Sequence, residues 1–329
     1  MSDPAAVEVV SPESVGLSSE RLTRVSSWLG EQISSERLAG ASVLIGRRGR
    51  VAFFEARGLA DQASARSFNQ DTIVRIYSMT KPVTSVAAMM LVEEGCFQLD
   101  DPVAKYLPEF ADTPVWAGGD APISETVPVQ APMTVHHLIT HTSGLTYGFM
   151  QANAVDEAYR AQKVDFPGGK GDLASQVTRL AGIPLLCQPG SEWNYSVSID
   201  VLGRLVEVWS GMSLAEFFQA RLFDPLDMRD AGFHVQEENW GRFAACYAPL
   251  VGGGLSNIGR TPSAEEAAAR GGLKLQDSAD GSSFLKPAAS YAGGGGLTAS
   301  MRDYARFCQM LMNGGELDGA RILSRKTID

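Results

Sequence analysis

Basic residues are the first shortage in this chain: 28 Lys and Arg stand against 38 Asp and Glu, a formal net charge of -10. An acidic balance of that size excludes attraction to nucleic acid or to an anionic membrane surface as the basis of function. The one basic cluster, Arg47-Arg48-Gly49-Arg50, lies between Ala41-to-Gly46 and Val51-to-Glu55 and reads as the solvated turn of a β-hairpin. Long apolar runs are also missing. The longest, near Val83 to Val92, is far too short to span a bilayer. Met1 to Glu20 is polar and acidic rather than basic then apolar, so no secretory signal is read there. A cytoplasmic protein with no membrane partner is the expectation. Cysteine is sparse: Cys96, Cys187, Cys246 and Cys308 form no C-x-x-C pair, which fits reduced packing thiols better than a disulfide frame.

Several functional signatures are absent as well. No G-x-S-x-G occurs, which argues against an ordinary α/β-hydrolase. The glycine tracts Gly252 to Gly254 and Gly293 to Gly296 lack the spacing of a phosphate-binding loop, so no nucleotide cofactor is expected and close backbone packing is. Among His136, His137 and His141 there is an H-x-x-x-H pair, but without the glutamate of H-E-x-x-H or a nearby third ligand. No metal is expected; these imidazoles read as hydrogen-bonding partners of the loop around Thr142 and Ser143. No internal repeat is evident.

What the chain does have is Ser78 and Lys81 within Ile76-Tyr77-Ser78-Met79-Thr80-Lys81-Pro82. A helix starting there places hydroxyl and amine one turn apart on one face. A serine hydroxyl is a poor nucleophile until a base removes its proton, and an unhydrated lysine amine can do so. The spacing alone proves little, because Ser283-Phe284-Leu285-Lys286 shares it. Context separates the two. Lys81 is followed by Val83, Val86, Ala87, Met90 and Leu91, a run suited to a helix buried nearly all round, with Gly95 as a left-handed cap. Thr72 to Ile76 before it is β-like, so Ser78 falls where extended chain becomes helix, near free backbone N–H groups and a positive dipole end. Ser283 is flanked by Asp280, Gly281 and Ser282 and runs into Pro287, so it is read as a loop coincidence. Pro82 cannot donate to the Ser78 carbonyl, which predicts a loosened or 3-10 first turn. A third element, Trp193-Asn194-Tyr195-Ser196-Val197, precedes another helical pattern, and Tyr195 at that junction is placed to relay a proton if its phenol meets Ser78 and Lys81.

Taken together, these residues resemble the serine β-lactamase and penicillin-binding-protein superfamily, and most closely its esterase branch, the family VIII carboxylesterases. The likeness extends over most of the chain: Tyr77 to Pro82 with Glu93-Glu94-Gly95, His137 to Leu145, Tyr195-Ser196 leading to Asp200-Val201-Leu202-Gly203, and Gly293 to Leu297 entering Asp303 to Phe307. The resemblance implies Ser78 as acylated nucleophile, Lys81 as its general base and Tyr195 as proton relay, with no cofactor. It implies a β-lactamase-like α/β (α+β) fold, an antiparallel sheet flanked by helices and built from both chain ends. In a single domain over 1–329, residues 1–75 and 290–329 would form the sheet lobe and 76–289 a mainly helical lobe.

Two departures from the family pattern matter. Val197 stands where β-lactamases and peptidoglycan peptidases carry an asparagine that binds the substrate amide, and valine offers no such contact. The third motif, on a strand beyond the helix from Asp303 to Asn313, is expected to be missing with the last strands; Lys326-Thr327-Ile328 has isoleucine where glycine is needed and is read as a decoy. The expectation is a serine hydrolase cleaving a small-molecule carboxylic ester. A β-lactamase or D-amino-acid peptidase, an amide hydrolase, an acyltransferase and a catalytically impaired relative stay open, as does the oligomeric state.

The remaining segments are read coarsely. Ser18 and Ser19 cap a helix with Leu22, Val25, Trp28, Leu29 and Ile33 on its apolar face, and Met79 to about Met228 reads as mainly helical, with proline-rich loops. Gly252 to Ala292 reads as a mobile surface excursion, and Ser300 to Gly314 as a capped helix.

Overall fold

The computed structural model describes residues 8–165, 171–250 and 272–329. Helix α1 (Ser19–Ser34) starts at Ser18, whose side chain accepts from the Arg21 amide. Strands β1 (Gly40–Arg47) and β2 (Arg50–Asp61) form the hairpin expected around the basic cluster. Its turn residues Arg48 and Gly49 both take positive φ, 55° and 72°, the geometry whose twist matches that of paired strands. A short β3 (Arg66–Ser67) completes this antiparallel sheet on the far side of β2. Helix α1 lies against β2 with Leu29 fully buried. Trp28, grouped with that face in the sequence, is instead 52% exposed. At about 100° of rotation per residue Trp28 sits about 60° outside Val25 and about 100° from the buried Leu29, at the solvent edge of the stripe.

Strand β4 (Ile73–Arg75) passes through a 3-10 turn (Tyr77–Met79) into α2 (Thr80–Glu93), which buries Val83, Val86, Ala87, Ala88, Met90 and Leu91. A helix apolar on nearly every side belongs in a core, and Gly95 ends it with φ 75°. From 94 to 134 the expectation of mainly helical chain does not hold. Short 3-10 turns and the two-residue strands β5 (Val115–Trp116) and β6 (Thr126–Val127) occupy it, because its closely spaced prolines cannot sit in helix interiors. Helices α3 (Val135–Ile139), α4 (Ala154–Gln162), α5 (Leu173–Ala181), α6 (Ser198–Ser210) and α7 (Leu214–Phe218) follow. Thr134, Asn153, Asp172 and Ser213 cap α3, α4, α5 and α7 by accepting from backbone amides.

Strands β7 (Cys246–Pro249) and β8 (Leu273–Asp277) pair antiparallel. Of the expected surface excursion from Gly252 to Ala292, residues 252–271 lie outside the described residues, and Leu273–Asp277 is a strand imposed by pairing with β7 rather than by composition. Strand β9 (Thr298–Ser300) pairs with β4, Ile73 opposite Ser300 and Arg75 opposite Thr298. Helix α8 (Met301–Met312), capped by Ser300, packs against β1, and the hairpin β10 (Glu316–Leu317) with β11 (Ala320–Arg321) leads to a last turn, α9 (Arg325–Ile328). Among the described residues, then, the three-stranded sheet uses only residues 40–67; the C-terminal part pairs β9 with β4 in a separate two-stranded sheet and packs α8 on β1.

One contiguous apolar cluster runs from Ile76 to Leu323. Phe218 is fully buried in it, stacked on Phe233 at 5.6 Å and edge-on to Phe223 at 5.8 Å. Phe218→Ala is expected to lower stability by about 3–5 kcal/mol, read as a drop in the urea midpoint at unchanged slope. The four cysteines are free thiols, but Cys96 and Cys308 are exposed rather than packed. Cys308 is one position off the buried Phe307 and Met310 stripe of α8, and Cys96 sits in the turn after Gly95. Among the described residues, no helix is long and apolar enough to cross a membrane.

Candidate active site

Ser78 is placed by the sharp change from β4 to α2. Pairing with β9 ends at Arg75, and the Ile76 amide donates to the Leu297 carbonyl, pinning the strand before the turn. Tyr77 then takes φ 42°, a conformation rare for an aromatic residue and costing on the order of 1–3 kcal/mol. That kink carries Ser78 to the exposed surface at the head of α2. The first turn is 3-10, as Pro82 predicted, and Pro82 is the third residue of α2, where its missing N–H removes no helical bond.

Lys81 follows one turn later with its side chain buried, only 9% exposed. Its Nζ donates to Ser78 Oγ at 3.2 Å, to the Tyr147 hydroxyl at 3.1 Å and to the Gly294 carbonyl at 2.6 Å. Tyr195, 117 positions beyond Ser78, places its hydroxyl 2.5 Å from Ser78 Oγ, and Lys81 Nζ lies 4.7 Å from the centre of its ring. The three residues singled out in the sequence therefore meet around one oxygen.

Tyr195 is held by the loop before α6. The Asn194 amide donates to the His141 carbonyl at 2.8 Å, and its side-chain Nδ2 donates to the Leu145 carbonyl at 2.7 Å. His141, 5.0 Å from the Tyr195 ring, accepts the Ser196 N–H at Nδ1, which leaves its proton on Nε2. Burial, and then the charge of Lys81, push the His141 imidazole down to about 4, so it is neutral at neutral pH. Behind it, Ser196, Ser198 and Ser143 form a buried hydroxyl chain with links of 2.6 Å. Val197 is fully buried and faces the core.

Three neighbours of the site escaped the sequence reading as site residues. Tyr147 is buried, with its ring 5.3 Å from Tyr195 and 4.7 Å from Phe149; burial, then the charge of Asp200, raises its phenol, which stays protonated. It lies on a loop, where no periodicity marks a residue. Gly294 gives its carbonyl to Lys81 and its N–H to Asp200 Oδ1 at 2.8 Å; a Cβ here would overlap the Asp200 carboxylate. The glycine tract thus serves close packing, as expected, and Gly293 repeats the point against the Ile199 carbonyl. Asp200 is fully buried on α6, and its Oδ2 has no hydrogen-bond partner among the described residues. An acid between Ile199 and Val201-Leu202, in an otherwise apolar run, was the available signal. Burial pushes its carboxyl up to about 7, against the pull of the Gly294 amide and of Lys81. Raised in this way, Asp200 costs no stability below the ordinary carboxylate range and progressively more as pH rises toward 7, since the unfolded chain ionises first.

The decoys stay apart. Ser283 heads a single 3-10 turn and Lys286 is extended, so no shared helix face forms. Lys326 lies in α9, whose Thr327 and Ser324 are tied to Glu93 at the far end of α2, roughly 20 Å along the helix from Ser78. His137 caps α3, accepting the Thr134 amide at Nδ1.

Comparison with known proteins agrees with this architecture. The Beta-lactamase family model matches residues 25–328. Esterase EstB of Burkholderia gladioli is 37% identical over 226 residues, covering 68% of this chain and 54% of that protein. Protein Rv1367c of Mycobacterium tuberculosis is 33% identical over 291 residues, covering 88% of this chain and 66% of its own length. The chain thus spans less than two thirds of these relatives. In structure it is similar to EstCE1, described as a hydrolase with promiscuous acyltransferase activity, with a TM-score of 0.73, 28% identity, and coverage of 93% of this chain and 75% of that one. With a family match across nearly all its residues and the same fold in EstCE1, the chain belongs to the beta-lactamase family.

Proposed function

We propose that this chain is a serine hydrolase that cleaves carboxylic esters of small molecules through an acyl-serine intermediate on Ser78. The observation that carries this is the meeting of Lys81 Nζ, 3.2 Å from Ser78 Oγ, with the Tyr195 hydroxyl, 2.5 Å away. Lys81 takes the Ser78 proton as Oγ bonds to the ester carbonyl carbon. The carbonyl oxygen becomes an oxyanion, for which the Ser78 amide at the start of the helical segment is the candidate donor. When the ester C–O bond breaks, Tyr195 hands a proton to the departing alkoxide and recovers one from Lys81. Water then enters in the reverse sense and releases the acid.

Ester cleavage is preferred over β-lactam cleavage because the position after Ser196 is the buried Val197, which presents no amide to a substrate. The comparisons favour a second reading on the same intermediate. Monacolin J acid methylbutanoyltransferase of Aspergillus terreus is 34% identical over 171 residues, covering 51% of this chain and 39% of that protein. Delivery of the acyl group to an alcohol instead of water would make this chain an acyltransferase.

Intact-protein mass spectrometry after brief exposure to a p-nitrophenyl ester tests the common step. A single acyl adduct on the peptide containing Ser78 is the expected result; folded protein with no adduct, or with the adduct elsewhere, overturns it. An added alcohol that becomes acylated distinguishes transfer from hydrolysis, and nitrocefin separates β-lactam chemistry from both. Tyr195→Phe, which keeps the ring but loses the proton, is expected to slow ester turnover by about 10²–10⁴-fold, with leaving groups of high pKa affected most.

A further inference from the structure

A buried carboxyl with one oxygen unpartnered among the described residues is an unusual feature to find behind a buried amine, and the acyl-transfer steps do not use it. Among the described residues, the three partners of Lys81 Nζ are two hydroxyls and a carbonyl, none of them charged. The carbonyl belongs to Gly294, and the N–H of the same residue is held by Asp200 Oδ1. Gly294 is thus clamped between the amine on one side and the carboxylate on the other, and the absence of a Cβ lets the carboxylate lie against it.

We propose that Asp200 is a positioning residue of this site: it fixes Gly294, and through Gly294 the Lys81 amine, and its charge governs how readily that amine is free to take the Ser78 proton. This rests on the function proposed above. Among water-excluded groups a unit charge acts over longer distances than in solvent, so Asp200 reaches the amine without touching it. The attraction between Asp200 and Lys81 is one of the influences on the carboxyl's ionisation, which falls at about 7. The other ionisable groups facing the pair are Tyr147 and Tyr195, Asp165, whose like charge opposes ionisation of Asp200, and His141 beside Lys81. Tyr147 stays protonated and His141 neutral at this pH, so neither provides the missing negative charge. A carboxylate behind Lys81 favours its ammonium form, so the charge of Asp200 holds back the free amine that acts as base, and acylation of Ser78 begins at higher pH than it would without that charge.

The test is the second-order rate at which a fluorophosphonate probe labels Ser78, from about pH 5 to about pH 9, in the wild-type chain and in Asp200→Asn. Asparagine keeps an acceptor for the Gly294 amide and removes only the charge. The wild-type rate is expected to rise with pH across this range, as a general base in its protonated form gives way to its free form. In Asp200→Asn the rise is expected to begin at lower pH, by about one pH unit, so that labelling near neutral pH is up to about tenfold faster than in wild type, whereas Asp165→Asn leaves the wild-type profile in place. Identical profiles for wild type and Asp200→Asn reduce Asp200 to a tether and overturn the inference. If Asp200→Asn does not fold, a wild-type rate that is flat over the whole pH range overturns it instead. Absence of any Ser78 labelling in folded wild-type chain is a different failure, of the proposed function itself.

Discussion

Ser78→Ala is expected to remove the acyl-enzyme and to lower ester turnover by roughly 10⁴-fold or more. The estimate follows from what remains when the nucleophile is gone: a surface at which an ester can dock and an amide that can polarise it, with no oxygen positioned to form the covalent bond. Ser78 is exposed, and the hydrogen bonds lost with its hydroxyl are those to Tyr195 and Lys81. A cost to folding of at most about 1 kcal/mol is therefore expected, and a thermal melt that matches wild type separates lost chemistry from lost structure. The same variant must fail to gain mass with a p-nitrophenyl ester. Retention of turnover within tenfold of wild type would mean that the reacting oxygen lies elsewhere. Ser283, the other serine at the same spacing to a lysine, is the natural control, and its replacement is expected to leave turnover unchanged because Lys286 does not share a helix with it.

How much of this was readable in the sequence depends on whether the signal was local. The pair of Ser78 and Lys81 is set by one turn of backbone, so strand-like residues before it and an apolar run after it were enough to tell it from Ser283 and Lys286. Tyr195 is 117 positions away, and only the likeness to a family joined it to them; the physical connection runs through Asn194, His141 and Leu145. Tyr147 had no such help, since a loop side chain gains its position from tertiary packing alone. Asp200 carried a sign that went unused, an acid in the apolar stripe of α6. The fold shows the same division. Capped helices and the hairpin at Arg48-Gly49 were legible, while strands of two residues such as β5 and β6 are too short to show an alternation. The misplacement of Trp28 came from grouping by hydrophobicity where the helical angle decides.

Lys81→Met has the second large expected effect, and its value lies in comparison with Ser78→Ala. Methionine refills most of the channel taken by the buried lysine stem but can accept no proton from Ser78, so turnover is expected to fall by about 10³–10⁴-fold. The Gly294 carbonyl loses its donor, and one unsatisfied buried acceptor costs about 1–3 kcal/mol of stability. Losing the nearby positive charge also removes an influence that lowers the Asp200 carboxyl, which then rises above about 7. The variant's stability consequently declines toward higher pH over a wider window than in wild type, since the native state holds the proton longer while the unfolded state has already released it. If Ser78 and Lys81 act as one unit, the double variant Ser78→Ala with Lys81→Met is no slower than Ser78→Ala alone, because a base has nothing to deprotonate once the hydroxyl is gone. Losses that multiply in the double variant would instead make Lys81 an independent structural or binding group, and the base would have to be sought among the remaining neighbours of Ser78, beginning with Tyr195.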